Sequence, residues 1–456
     1  MQNTAVEAAP EVSSNDRPAW RTHLTLVLLA LIYVFSFIDR NVIAIVLEPI
    51  KQEFGASDTM MGLISGLAFA ILYGGLSLPL GRLADQGADR RNMIAICCSL
   101  WSLATMACGM VGQFWQLFIA RMSVAVGEAG GMAPSVSMVS DLYPKERRSL
   151  AISVLMMGPH IGVLAAMVLG GWIAQEFGWR YVFIIFGAPG IVLALALRLI
   201  ARDPGRGGVN NPQSQAAALN NEESAQKTPF IEQLKAICRI PGFLPISLGA
   251  AAAGMAGYSF GIWTPTFMVR NWDMSLAQAG LIFGLSSGVL AVIGSTFSGW
   301  YCDRLTKKDA RWQVRLPLIG LLISLPFALA FLLWPAEKSF SFGGYLLPQA
   351  IIFAAVFSFF NSWWPTLTYA AISHVTTDRQ RATGAAVLNL LITLFGAGLG
   401  PLTTGILSDQ LSGTFGDDGL KYALACTTLV LFTLSVVFYK LALTPYKQRM
   451  ADLQSQ

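Results

Sequence analysis

Charge is scarce in this chain. Of its 456 residues only 12% are Asp, Glu, Lys or Arg, against about 25% in an ordinary soluble protein. Apolar runs long enough to cross a bilayer recur along almost the whole length, which leaves no room for a sizeable soluble domain and makes this a membrane protein. The first twenty residues lack the apolar core of a cleavable signal peptide; they hold Pro10 and Pro18 and read as a cytoplasmic tail. No glycine-rich loop of the Walker type is present, so ATP hydrolysis is excluded as an energy source. No Cys/His cluster has metal-ligand spacing, and Met60, Met61, Met156 and Met157 read as packing residues. The six cysteines (Cys97, Cys98, Cys108, Cys238, Cys302 and Cys426) all fall outside any segment placed beyond the membrane, which argues against a disulfide framework. The net charge of +5 is spread over short loops rather than gathered in a stripe, so nucleic acid is not an expected partner. The embedded ionisable residues include no nucleophile with an evident base, so an enzyme is not expected either.

What is present is twelve candidate spans. They run Leu24 to Pro49, Thr59 to Leu80, Met93 to Val111, Leu117 to Val139, Ala151 to Ala174 and Tyr181 to Leu199, then Phe243 to Met268, Leu276 to Trp300, Leu316 to Trp334, Gly344 to Ser373, Ala382 to Leu407 and Tyr422 to Leu441. Most of the 31 Lys and Arg residues fall on one side if the N-terminus is inside, which predicts a multi-pass protein of the inner (plasma) membrane with both termini cytoplasmic. The chain divides into a tail (1–20), a six-helix bundle (21–201), a linker (202–241), a second bundle (242–442) and a tail (443–456). Arg202 to Lys227 reads as a flexible linker, and Thr228 to Ile240 has the pattern of an amphipathic interfacial helix. An internal echo supports two related halves. Gly81 to Arg91 (GRLADQGADRR) and Gly299 to Arg311 (GWYCDRLTKKDAR) follow the second and eighth spans, and PKERRS is matched by TDRQRAT later on. Weak symmetry between two six-helix halves marks a transporter fold with its site between them.

The fourth span carries Arg121 and Glu128 in lipid-grade sequence. An intramembrane charge costs roughly 2.5–3.5 kcal/mol even on the permissive insertion scale, so such a pair marks a functional site by default. Seven residues is nearly two turns, which puts both side chains on one face about 10 Å apart. Gly127, Ala129, Gly130, Gly131 and Pro134 form a small-residue run at which this helix can bend. The first span adds Asp39 and Arg40, too far from either end to snorkel and about 100° apart around the axis. Depth counting places the four at neighbouring heights, so an electrically neutral cluster of Asp39, Arg40, Arg121 and Glu128 is geometrically possible. One reading is a structural network pinning two helices; the other is a proton-coupling device in which Asp39 and Glu128 titrate and Arg40 or Arg121 meets an anionic headgroup. The second-half spans lack such charge, so the facing wall is expected to be apolar and aromatic. Candidates are Tyr258, Phe260, Trp263 and Thr264 in the seventh span and Phe357, Phe360, Asn361, Trp363 and Trp364 in the tenth. One charged wall and one greasy wall suit an amphiphile. Gly158, Pro159, Gly162, Gly170 and Gly171 read as close packing with a hinge, His160 as buried, and His23 and His374 as interfacial.

These residues resemble the major facilitator superfamily, whose signature loop GRLADQGADRR is similar to. FSFIDRNVI, RMSVAVGEAGGMAPSVSMVSDLYPKERRS, MMGPHIGVLAAMVLGGW and GWRYVFIIFG look like its spinster-type branch. The resemblance implies an all-α fold of twelve transmembrane helices in two pseudo-symmetric six-helix bundles, working by alternating access. It implies movement of lysophospholipid- or sphingolipid-like amphiphiles, with the proton gradient as driving force and no other cofactor. The FIDRN stretch is also similar to organic-anion symporters, which keeps a small organic anion as a second cargo, and a non-transporting sensor of amphiphiles stands as a third reading. In the signature loop Asp85, with Arg90 and Arg91, would pair across the halves, and Asp303 would be its weaker counterpart. The expected partners are therefore the amphiphile, protons and the bilayer, with the protein acting as a monomer.

Overall fold

The computed structural model describes residues 19–85, 88–204, 230–335, 338–342, 345–377 and 380–455. The chain forms twelve spans. Span 1 is Ala19–Phe54; span 2 is Asp58–Gly62, a π-helical stretch Leu63–Leu67 and Ala68–Asp85; span 3 is Arg90–Cys108. Span 4 is broken into Phe114–Glu128 and Met132–Leu142; span 5 is Lys145–Met156 and Gly158–Phe177; span 6 is Trp179–Ile200. In the second half, span 7 is Phe243–Trp272; span 8 is Leu276–Gly284, a π-helical stretch Leu285–Val289 and Leu290–Thr306; span 9 is Trp312–Leu333. Span 10 is Ala350–Asn361 and Trp363–Val375; span 11 is Arg381–Leu391, a π-helical stretch Ile392–Leu399 and Gly400–Phe415; span 12 is Gly419–Ser455. Ten helical stretches pass a length-and-hydropathy test for crossing a membrane. Twelve are reached because the last stretch contains both spans 11 and 12 and because span 4 is interrupted.

Local chemistry sets several boundaries. Ser57 accepts from Met60 N at the start of span 2, and Asp89 does the same for Asn92 N at the start of span 3. Ser275 and Gln278 close a capping box at the start of span 8. Gly178 turns span 5 into span 6 at φ +91°, a conformation that disfavours any side chain. The linker lies largely outside the described residues, and the amphipathic segment beyond it is helical from Phe230 to Cys238. One small departure from all-helical structure is the hairpin Ser339–Phe342 with Tyr345–Pro348, antiparallel, joining spans 9 and 10.

Glycines set the closest helix contacts. Gly158 and Gly162 meet Tyr33 and Phe37 of span 1, and Gly187 and Gly190 of span 6 meet Ser102 of span 3. Gly127 lies against the backbone of Trp101, joining spans 3 and 4. Here His160 departs from expectation: it is exposed, not buried. Gly158 and Gly162 supply the packed face of span 5, and a residue two positions from each projects to the other side of the helix.

Between the halves, span 2 packs along span 11 through Gly62, Gly66 and Gly74, and span 5 packs on span 8 from Leu164 to Gly171. Apart from Gly74, which meets Leu390 and Leu394 just past the middle, these approaches occupy the half of the bundle remote from Ala19, here termed the distal half. Named hydrogen bonds between the halves gather at the distal face as well.

Candidate functional site

The four intramembrane charges come together. Arg40 donates to Glu128 Oε2 from Nε at 3.0 Å and from Nη2 at 2.5 Å. Its guanidinium also lies over the rings of Phe37, Phe69 and Tyr73, 4.6–5.0 Å from their centres, an arrangement that compensates a cation removed from water. Arg40 and Glu128 line one cavity with Tyr33, Tyr73, Trp101 and Ser135. All of these residues belong to the first half.

Arg121 takes a different part. It is 1% exposed and donates from Nη1 to the Asp39 backbone oxygen at 2.8 Å and from Nη2 to the Arg40 oxygen at 3.4 Å. It therefore holds the backbone of span 1 from behind, while Arg40 faces the cavity. Asp39, adjacent in sequence, points away from Arg40 as the 100° rule requires. Its carboxyl is fully buried, and neither oxygen has a hydrogen-bond partner among the described residues. Glu128 Oε1 is also without a partner. The cluster thus holds one ion pair, Arg40 with Glu128, one cation bonded to two span 1 carbonyls through its Nη atoms but not through Nε, and one buried acid with Thr105 and Arg121 close by.

The second half offers less to the cavity than composition implied. Trp263 is buried, and its indole donates to Pro401 O at 2.9 Å; Thr264 is also buried. Trp364 packs near Gly254, and Phe260 sits among Phe331 and Phe357. Phe360 meets Phe359 edge-on and Trp363 at a tilt, next to span 9. Tyr258 is exposed, and Asn361 is half-buried close to Gly257. In this conformation Trp263, Thr264 and Trp364 are packing residues of the second half.

Of the signature-loop residues, Arg90 bonds Asp203, Asp141 and Ser137, all in the first half. Arg91 bonds Asp89 and the Ala201 oxygen. Asp303 is exposed at the end of span 8. The side chain of Asp85 lies outside the described residues, as does much of its loop. His23 meets the Tyr143 hydroxyl at 2.9 Å, and His374 meets that of Tyr446 at 3.3 Å.

Sequence reasoning missed a second charge cluster. At the distal face Asp58 accepts from Lys51 Nζ at 2.8 Å, from both terminal nitrogens of Arg270 at 2.8 Å, and from Ser408 Oγ at 2.6 Å. Arg270 also donates to Glu48 at 2.6 Å. Asp409 accepts from Asp58 N, Thr59 N and the Thr59 hydroxyl, capping the start of span 2 from the other half. Spans 1, 2, 7 and 11 are tied by this one cluster. The helices of spans 7 and 11 run past the apolar stretches read from sequence, so Arg270 and Asp409 looked like loop residues.

Comparison with known proteins sets this geometry in context. The family model of the Major Facilitator Superfamily matches residues 29–348. An MFS-type efflux pump of Mycolicibacterium smegmatis is 30% identical over 98% of this chain and 99% of its own length. The sphingosine-1-phosphate transporter SPNS2 of Danio rerio is 23% identical, covering 95% of this chain and 90% of that protein. A crystal structure of a bacterial homologue of the human lysosomal transporter Spinster, inward-facing and unoccupied, superposes with a TM-score of 0.82 at 28% identity, covering 95% of this chain and 99% of that one.

Proposed function

The chain belongs to the Major Facilitator Superfamily, as a spinster-like membrane transporter rather than an enzyme, and from that membership we propose that it is a proton-coupled secondary transporter of a lysolipid- or sphingolipid-like amphiphile. Taking the distal face as the outside, the named contacts between the halves close that side. This agrees with the likeness to an inward-facing homologue.

The observation that carries proton coupling is the fully buried acid Asp39. An ionised carboxylate buried away from water costs several kcal/mol, whereas the neutral acid is tolerated, and of the groups beside Asp39 only the Thr105 hydroxyl and the more distant Arg121 offset that cost, so the protonated form fits this site. Glu128 is paired with Arg40. Losing the Asp39 proton in this state leaves a bare charge behind Arg40. A conformation that brings water or a cation to Asp39 accepts that charge, and the difference links proton release to the change of state. Amphiphile transport is supported by the cavity, where one ion pair sits among Tyr33, Phe37 and Tyr73, and by the activity named for the zebrafish relative.

The test uses purified protein in proteoliposomes, following a fluorescent lysophospholipid and internal pH together, with Asp39→Asn and Glu128→Gln beside the parent. Gradient-driven lipid movement that either substitution uncouples is the expected result. Proton-driven movement of an organic anion, with no lipid movement, would replace the amphiphile by the smaller cargo. Binding without any flux would make the protein a sensor.

A further inference from the structure

We propose that Asn361, beside Tyr258, is a specificity-determining contact of the second half, a neutral hydrogen-bonding point that reads a free hydroxyl group on the amphiphile. This rests on the amphiphile reading above and adds one chemical feature that the cargo must carry.

The two halves repeat each other position by position. Span 1 ends at Phe54 and span 7 at Trp272, and the residues that follow, Gly55 and Asp273, both take positive φ, at +61° and +51°. Ser57 and Ser275 then cap spans 2 and 8, and Gly81 and Gly299 begin the echoed loop sequences. Each of these pairs is 218 positions apart. Spans 4 and 10 repeat at a separation of 233. Their first helices end at Glu128 and Asn361, and their second helices are followed by Tyr143 and Thr376, both in extended backbone.

The same registers set Tyr258 where the first half has Arg40, Asn361 where it has Glu128, Gly257 where it has Asp39 and Ala354 where it has Arg121. The ion-pair site is thus repeated in the second half with every charge removed. Its contact is repeated as well. Span 1 meets span 4 through Arg40 and Glu128, and a Cβ on Gly257 of span 7 would lie 3.9 Å from Asn361 Nδ2 of span 10.

Tyr258 sets this second site on the same gap as the first. It stands near Tyr33, Arg40 and Tyr73, which line the cavity, and it is 40% exposed although it lies well inside span 7. Asn361 supplies the independent sign of a ligand. It is half-buried, and its Oδ1 is buried with no hydrogen-bond partner among the described residues. A buried acceptor left unmet is costly, most of all inside a membrane. A turn of the half-buried amide brings that oxygen to a donor entering from the gap. With glycine in place of the Asp39 carboxylate, span 7 sets no acid beside it.

The chemistry selects the donor. A hydroxyl gives its proton to Oδ1 and is uncharged, as the site is. An ether or ester oxygen only accepts, and leaves Oδ1 unmet. An ammonium group would donate too, but next to Tyr258 it would approach the Arg40 cation. A lipid with one chain and a free glycerol hydroxyl is therefore preferred to one whose hydroxyl is blocked.

The experiment measures binding to the full-length protein in nanodiscs with a matched pair of probes, 1-O-octadecyl lysophosphatidylcholine and its 2-O-methyl ether. The two differ only in the free hydroxyl. The hydroxyl lipid is expected to bind about tenfold tighter, the worth of one hydrogen bond to an otherwise unmet buried acceptor. Asn361→Leu, which keeps the bulk, and Asn361→Ala, which removes it, should both bring the ratio to near one and leave binding of the ether unchanged. Equal affinity for the two lipids in the parent protein overturns the contact and leaves the amphiphile reading standing. So does a preference that both variants retain, or a variant loss that falls equally on the two lipids, which would mark Asn361 as a packing residue. Binding of neither lipid to the parent protein overturns the amphiphile reading and the contact with it.

Discussion

Replacing Asp58 by Asn tests whether the distal cluster holds the outer side shut. Asp58 is 1% exposed and receives four hydrogen bonds, three of them from cations. Removing one partner of a buried ion pair costs about 3–5 kcal/mol, because the other charge is left without compensation. Arg270 keeps Glu48 and is partly open to solvent, so the lower end, about 3 kcal/mol, is appropriate. When the distal face opens, Asp58 separates from Arg270 and Ser408 and water serves both, so the substitution costs little there. The loss falls on the closed state, and about 3 kcal/mol is roughly a hundredfold shift in the closed-to-open ratio. A closed population of about 99% would fall to near one half. Spin labels at Gln52→Cys and Thr414→Cys, both exposed distal positions on opposite halves, report the opening by pulsed electron resonance after Cys426→Ser removes the exposed native thiol. A new long-distance population in the Asp58→Asn protein is expected. An unchanged distribution, in protein that still elutes as a folded, monodisperse species, would refute the clamp.

Three further outcomes follow from packing and hydrogen bonding. A Cβ at Gly280 would lie 2.1 Å from the Met167 carbonyl oxygen, so Gly280→Val should push spans 5 and 8 apart distally and raise labelling of distal cysteines, with thermal stability reduced by about 1–3 kcal/mol. Arg121→Lys removes a fork that reaches two carbonyls of span 1 at once; a point charge cannot replace it, and fluorescence-detected size exclusion after heating should show a loss of roughly 2 kcal/mol or more. Trp263→Phe deletes one bond to Pro401 O within the second half, a carbonyl that keeps its place in the helix Gly400–Phe415; a loss of about 0.5–1.5 kcal/mol in the same assay, with transport intact at permissive temperature, is expected.

The intramembrane cluster was legible because lipid-grade sequence gives a charge nowhere to go. Asp39, Arg40, Arg121 and Glu128 stood out by contrast, and the 3.6-residue period placed them on facing surfaces. The distal cluster was hidden for the opposite reason. Arg270 and Asp409 lie past the last apolar residues of their spans, where a charge looks like an ordinary loop residue, although the helices continue to Trp272 and Phe415. In the second half the spans are apolar on every side, so hydropathy could not separate the cavity wall from the packing face. Trp263 and Trp364 were as plausible for one as for the other until their neighbours were seen. His160 was obscured by its own flanks, since the glycines on either side mark the packed face and the histidine lies opposite.

Span 2 links the two charge clusters mechanically. It begins in the distal clamp at Asp58 and, three turns on, supplies Phe69 and then Tyr73 to the rings around Arg40. Between them lies the π-helical stretch Leu63–Leu67, and its Gly66 meets Gly398 in the π-helical stretch of span 11. Span 8, which faces span 5 across the other seam, carries the third such stretch at Leu285–Val289, with Gly284 and Gly288 beside Leu164. All three π-helical stretches therefore lie at contacts between the halves. A π-turn is a strained segment that can relax into regular helix by shifting register. Placed on the sliding surface, it lets a span twist without breaking its backbone bonding. Arg40 meets Phe69 and Tyr73 on one side of such a turn, while Asp58 is held on the other. The two clusters are therefore joined through one span, and a register shift in its π-helical stretch is the movement by which one would reach the other.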